Sequence, residues 1–177
     1  MSKLESTSLL IRDELSSDIP IIRSVVYDAF LNHPHHAPGA LPTEHKIVDE
    51  LRDQNALTLS VVAVVNDSIV GHIAYSPVSI DGKLSRWLGL GPVSVHPNWQ
   101  RRGIGKRLIT STLERLRKEP FDGVVLLGDP EYYARFGFTA DSKLILEGVP
   151  AEYFMALSFI GSVPSGVVTY HPAFNVA

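Results

Sequence analysis

Six consecutive residues near the middle of the chain have the composition of an anion-binding turn. They are Gln100, Arg101, Arg102, Gly103, Ile104 and Gly105. An apolar run precedes them and an amphipathic helix pattern that starts near Lys106 follows them. A strand that enters a glycine-containing turn and then a helix brings free backbone N–H groups and the positive end of the helix dipole to one point. Because such a point binds phosphate well, the residues predict an anion site here.

Two better-known phosphate-binding loops do not fit these residues. A P-loop needs a glycine five residues before Gly105 and a Ser or Thr after Lys106, but the chain has Gln100 and Arg107 at those positions. The dinucleotide fingerprint fails as well, because the segment that starts at Gly89 lacks its third glycine and runs into a strand. A P-loop nucleotide hydrolase is therefore disfavoured.

Basic residues crowd around this turn although the whole chain is acidic. The formal net charge of -3 argues against broad nucleic-acid binding. Residues 101–118 nevertheless carry seven bases and one acid, which gives a local charge of +6. We assign Arg115, Arg117 and Lys118 to a solvated helix face. The four bases beside the turn favour an anionic ligand instead; they are Arg101, Arg102, Lys106 and Arg107.

Length and composition predict one soluble domain over residues 1–177. The chain is long enough for one buried core and too short for two ordinary domains. It has no apolar run of about eighteen residues, and Glu5, Asp13 and Glu14 stand where a signal peptide would have bases, so we expect a cytoplasmic protein that spans no membrane. The absence of cysteine excludes disulfides, thiolate zinc sites and a cysteinyl acyl-enzyme.

The pattern of apolar residues predicts a mixed α/β sheet with flanking helices. Helices are expected from Asp18 to about Phe30 with Ser17 or Asp18 as the cap, from Thr43 to near Gln54, from Ile104 to a point before Pro120, and from Asp129 onward. Strands are expected at Leu57–Val65, Ile69–Tyr75, Trp87–Val95, Val124–Leu127, Tyr153–Phe159 and Val167–Tyr170, the last two as a closing pair.

Gly91 and Pro92 interrupt the third of these strands. Since proline cannot donate to a sheet ladder, the pair implies an edge, a bulge or a locally opened pairing. If this strand diverges from the strand at Val124, a slot opens between them in which an extended ligand could bind like an added strand.

Two motifs in this chain resemble those of the GNAT superfamily of N-acetyltransferases. Residues 100–105, Q-R-R-G-I-G, resemble the family signature Q/R-x-x-G-x-G/A. About thirty residues later, the segment Gly128–Phe138 resembles the family motif in which a short helix carries a tyrosine, here Tyr133, followed four and five residues on by Gly-Phe. The likeness is close over Leu57–Phe138 and looser outside that range.

The resemblance implies the acyl-CoA N-acyltransferase fold, with a mostly antiparallel central sheet, splayed strands and flanking helices. It also implies acetyl-coenzyme A as cosubstrate, no metal, and direct acetyl transfer to a primary amine of a small molecule, peptide or protein. By the same resemblance, Val93 and Val95 face the thioester and pantetheine with their backbone, and the residues from Gln100 through Lys106 hold the pyrophosphate. Tyr133 corresponds to the tyrosine that protonates the leaving thiolate, while the Val93 N–H corresponds to the oxyanion donor.

The acceptor side of the site is less well defined. Many family members have an asparagine seven residues before the tyrosine, and here that place is Leu126. The third strand offers no acid as a base, so a water chain ending on Ser94, His72, Glu44 or a loop histidine remains open. The loop at Asn32–Pro42 is expected to shape the acceptor pocket and to favour a small polar amine or a peptide N-terminus over nucleic acid. The residues concerned are His33, His35, His36 and Glu44.

Two further questions stay open at this point. The same motifs would serve a catalytically silent acyl-coenzyme A-binding sensor or regulatory module. The sequence also leaves open whether the protein is a monomer or a homodimer.

Overall fold

The computed structural model describes residues 8–34 and 36–176, so Glu5 and His35 lie outside the described residues. Strands β1 to β8 span Leu9–Asp13, Leu59–Val65, Ser68–Ile80, Lys83–Val95, Gly123–Leu127, Leu144–Ile145, Phe154–Ser158 and Gly166–Tyr170. Helices α1 to α4 span Ile19–Phe30, Glu44–Asp53, Ile104–Arg117 and Pro130–Tyr133.

The sheet is mixed and mostly antiparallel, which confirms the predicted fold class. Its main path runs β1-β2-β3-β4-β5-β7, and β8 pairs with the end of β3 and with β6. The β4–β5 and β6–β8 pairs are parallel, while the other strand pairs are antiparallel.

Helices cover both faces of this sheet. The side chains of β2 alternate between the two faces, so each face carries apolar residues that a helix can cover. Val61, Ala63 and Val65 belong to the core cluster that includes the apolar stripe of α3. Val62 and Val64 face the other way and pack with residues of α1 and α2. As a result, α3 starts and α1 ends near the middle of the sheet, close to β4 and on opposite faces of it.

The Gly91–Pro92 pair produces both a bulge and an opened pairing. The β3–β4 register shifts between Ile73 and Tyr75, opposite this pair. On the other side of β4, pairing with β5 stops at Gly89, which lies opposite Val125. Strand β4 therefore has a strand on both sides as far as Gly89. From Leu90 onward only β3 pairs with it, and the side toward β5 is unpaired.

Several details differ from the sequence predictions. The β3–β4 hairpin is longer than predicted, because β3 continues to Ile80 and β4 begins at Lys83. Asp18 makes no side-chain cap on α1, because its carboxylate instead accepts from the Leu15 N–H at 2.7 Å and pairs with Arg12. The closing strands β7 and β8 do not pair with each other; β7 adds to β5 and β8 to β3. Strands β1 and β6 were not predicted. In the part of the chain that the structure describes, no helix is long and apolar enough to cross a membrane.

Candidate active site

The turn before α3 presents unsatisfied amides to solvent. Gly103 precedes the helix with φ +82°, in the left-handed region that glycine adopts without strain, and no side chain caps the helix there. The first helical bond runs from the Arg107 N–H to the Gly103 carbonyl at 3.1 Å. The amides of residues 104–106 consequently have no acceptor within the helix. A Cβ built on Gly103 meets no atom within 4 Å, so this side of the turn is open.

The bases beside the turn are available to a ligand. Arg101, Arg102, Lys106 and Arg107 are exposed, and none pairs with a carboxylate of residues 8–34 or 36–176. The Arg102 guanidinium lies over the Trp99 ring, 4.9 Å from its centroid. Farther along α3 the bases have structural partners: Arg115 pairs with Asp13, and Arg117 stacks over Phe159.

The backbone of β4 turns its free groups toward the slot beside β5. The His96 N–H donates to the Val70 carbonyl at 2.8 Å, and hydrogen-bonded pairs alternate along an antiparallel ladder. Val93 and Val95, opposite Ile73 and Gly71, are therefore non-hydrogen-bonded positions whose N–H and C=O groups point away from β3. The Val95 carbonyl accordingly accepts from the Gln100 side chain at 3.0 Å.

A cleft of about 430 Å³ opens along the same part of β4. Its walls are the end of α1 with the following segment, from Asp28 to Pro34, and the strand from Val93 to Val95. Pro97 and Gln100 complete it. The cleft thus brings His33 to the same space as Val93, Val95 and Gln100.

Tyr133 is held rigidly at the end of α4. The Asp129 carboxylate caps this short helix by accepting from the Glu131 N–H at 3.0 Å, and the helix begins where the sequence predicted. The Tyr133 ring packs edge-on to Tyr132 and Phe138, and a Cβ on Gly128 would overlap it. Burial, with smaller effects from Tyr132 and Asp129, raises the pKa of Tyr133 to about 12, so the hydroxyl is protonated at neutral pH.

The Tyr132 hydroxyl lies beside the turn, a contact that the sequence patterns did not predict. A Cβ built on Gly105 would stand 3.4 Å from this hydroxyl oxygen and 3.8 Å from a methyl carbon of Val95. Arg135 stacks on the same ring, 4.6 Å from its centroid. The turn before α3 and the tyrosine-bearing motif therefore meet at Gly105. The sequence alone does not show this contact, because it is made between α3 and α4 in the folded protein. Leu126, in contrast, is buried in the core and offers no polar group.

The loop after α1 contains a hydrogen-bonded acid–histidine pair. Glu44 accepts from His36 Nε2 at 2.7 Å, and its other oxygen accepts from the Thr43 N–H at 3.0 Å. The His36 ring lies 5.7 Å from that of His33, which lines the cleft. His35 lies outside the described residues. Within those residues, no group of three or more His, Asp or Glu side chains is arranged to hold a metal.

Comparison with known proteins agrees with this architecture. Residues 11–140 match the family model described as "Acetyltransferase (GNAT) domain". A GNAT family acetyltransferase from Brucella melitensis, solved in complex with acetyl-CoA, shares 44% identity with a TM-score of 0.82, covering 94% of this chain and 98% of its own. The Escherichia coli protein YhbS, solved in complex with CoA, has a TM-score of 0.86 at 29% identity, covering 97% of this chain and 94% of its own.

The sequence relationship extends over nearly the whole chain. The curated Escherichia coli (strain K12) protein named "Uncharacterized N-acetyltransferase YhbS" is 31% identical over 175 residues, which are 94% of this chain and 99% of that protein. Since the family model also covers well over half of the residues, this chain belongs to the GNAT family of acetyltransferases.

Proposed function

We propose that the protein transfers the acetyl group of acetyl-coenzyme A directly to a primary amine. The observation that carries this proposal is the convergence of the free amides before α3 with the free backbone groups of β4. An anion and an extended amide-containing arm, the two halves of a coenzyme A molecule, fit these two sets of donors and acceptors. The family relationship and the two relatives solved with coenzyme A or its acetyl ester support it.

The turn from Gln100 to Lys106 holds the pyrophosphate. Its amides donate to phosphate oxygens, and Arg101, Arg102 and Lys106 add positive charge around them. The open side of Gly103 leaves room for the phosphate to approach the backbone. The pantetheine arm then extends along Val95 toward Val93, beside the free edge of β4.

The chemical step follows from the groups at the far end of this arm. An amine nitrogen attacks the thioester carbonyl, and the Val93 N–H donates to the oxyanion that forms. The C–S bond breaks, and Tyr133 gives its proton to the thiolate. A hydroxyl with a pKa of about 12 retains that proton until the thiolate needs it.

The acceptor enters from the cleft between the end of α1 and β4. A positively charged or polar amine suits the histidine and carboxylate groups at its rim. His33 contacts the acceptor, and Glu44 holds His36 in position beside it. This rim favours a small polar amine or a peptide N-terminus.

A thiol-release assay tests the proposal. The protein is incubated with acetyl-coenzyme A and, separately, L-lysine, spermidine and a tripeptide with a free N-terminus. Amine-dependent release of coenzyme A with formation of the acetylated amine is the expected result. Tight coenzyme A binding without release in the presence of any acceptor would instead identify a silent sensor. Absence of coenzyme A binding would reject the donor assignment itself.

A further inference from the structure

A chain of polar side chains lies along the face of the sheet that α1 and α2 cover, outside the donor site. His72 on β3 is fully buried, and its Nε2 lies 2.8 Å from the Ser60 hydroxyl on β2. Ser60 in turn lies 2.5 Å from the carboxylate of Glu14, which Arg52 holds with two contacts of 2.8 Å. Glu14, Ser60 and Arg52 line a second cleft of about 390 Å³.

The hydrogen bonds of this chain fix the protonation of the histidine ring. Burial raises the pKa of Glu14, but the hydrogen bonds from Arg52 and Ser60 outweigh it and hold the pKa below its ordinary value. An ionised carboxylate only accepts, so the Ser60 hydroxyl donates to Glu14 and must accept from His72 Nε2–H. The Nδ1 atom of His72 is then the unprotonated nitrogen, with its lone pair available.

A second unpartnered polar group lies on the neighbouring strand. In the described residues, both His72 Nδ1 and the Ser94 hydroxyl are buried without a hydrogen-bond partner. The two residues stand directly opposite each other on β3 and β4, so their side chains share one face with Cβ atoms about 5 Å apart. The two atoms do not hydrogen-bond each other directly, and this spacing leaves room for one bridging water. Ser94 also lines the cleft assigned to the acceptor.

We propose that His72 accepts, through Ser94, the proton that the acceptor nitrogen loses during acetyl transfer. As the C–N bond forms, the nitrogen gives its proton to the Ser94 hydroxyl. The hydroxyl passes its own proton to a bridging water, which gives a proton to His72 Nδ1. The imidazolium is held by the Nε2–H bond to Ser60 and by the charge of Glu14. When the products leave, His72 returns the proton to solvent through the cleft and regains its starting tautomer. Ser60 and Glu14 are positioning residues.

The electrostatic surroundings of His72 keep its ring unprotonated at rest. Burial lowers the pKa of His72 to about 4; Glu14 opposes this effect, and Arg52 adds to it. The ring is therefore neutral at pH 7 and able to accept a proton. It also releases that proton readily afterwards.

The inference rests on the proposed acetyl transfer, and substitutions that keep the hydrogen bonds test it. His72→Gln retains a donor to Ser60 but has no basic nitrogen, so kcat should fall by about 10²–10⁴. Coenzyme A affinity, measured by calorimetry, and the acceptor KM, measured with the best amine of the panel above, should stay within threefold of wild type. Asp13→Asn, which alters only an exposed ion pair with Arg115, is the matched control and should keep the wild-type kcat.

Two results would overturn the proposal. One is a folded His72→Gln protein with kcat within threefold of wild type. The other is ¹⁵N NMR of His72 showing the proton on Nδ1, a measurement that needs no acceptor. The double variant His72→Gln/Ser94→Ala should lose no more than the worse single variant, because both act in one step; additive losses would indicate a structural role. If His72→Gln still binds coenzyme A, a loss of activity comes from the proton-transfer step and not from the donor site.

Discussion

The proposed chemistry depends on individual groups that their surroundings keep protonated or free of hydrogen-bond partners. The Tyr133 hydroxyl is kept protonated by its burial, and the Val93 N–H is kept free by its place in the β3–β4 ladder. The motif resemblance was sufficient to single out Tyr133 and the residues of the turn. It could not indicate the Tyr132 hydroxyl beside Gly105 or the Glu14–Ser60–His72 chain, because residues up to 46 positions apart in the sequence form these contacts.

Tyr133→Phe tests the acid at this scale. The variant keeps the ring that packs on Tyr132 and Phe138 and removes only the proton, so turnover should fall by about 10²–10⁴. Coenzyme A affinity, measured by calorimetry, should remain unchanged. Tyr153→Phe, which also removes only a hydroxyl but from an exposed side chain, controls for the substitution itself. Unchanged turnover under conditions in which chemistry limits the rate would assign Tyr133 to packing.

Among the helices and strands, those with a strong apolar periodicity were predicted correctly from the sequence. The pairing of strands was not. Helices α1 to α3 begin and end within about two residues of the predicted positions, because each carries a clear apolar stripe. The short edge strand β1 has only three apolar residues before Arg12, and β6 has two residues in all, so neither shows a strand pattern. The partners of β7 and β8 are set by contacts between distant segments, which periodicity does not encode.

The loop after α1 gives a prediction at this scale. Replacing His33 and His36 by alanine should raise the acceptor KM severalfold, because His33 lines the cleft and His36 stands beside it. Coenzyme A affinity should not change, since the turn before α3 is untouched. His171→Asn, at a histidine that caps a distant C-terminal turn, is the control. Acceptor kinetics equal to wild type would mean that the acceptor pocket is built elsewhere.

At the scale of the whole molecule, the polar chain inside the sheet links stability to pH. The pKa of His72 is about 4 in the folded protein and about 6.5 in an unfolded chain. Between these values the unfolded chain binds a proton that the folded protein does not, so stability is full above pH 6.5 and falls as the pH drops toward 4. The difference corresponds to about 3 kcal/mol at most.

Chemical denaturation at a series of pH values checks this linkage. Wild type should lose more unfolding free energy between pH 7 and pH 4 than His72→Gln, because glutamine does not titrate. The control His171→Asn, at a half-buried histidine outside the polar chain, should keep the steep wild-type decline in this range. Parallel curves for wild type and His72→Gln would show that the histidine is not neutral inside the folded protein.

The proposed function depends most on the turn before α3 binding the pyrophosphate of acetyl-coenzyme A. The most direct test is calorimetric titration of acetyl-coenzyme A into three proteins, which are wild type, Gly103→Asn and Gly103→Asp. Asparagine and aspartate have the same shape and both tolerate the left-handed conformation of this position, and their side chains enter the same open space. They differ in one negative charge at the closest approach of the phosphate. The account predicts measurable binding by Gly103→Asn and binding at least tenfold weaker, or absent, in an equally stable Gly103→Asp. Equal affinity of the two variants would contradict it.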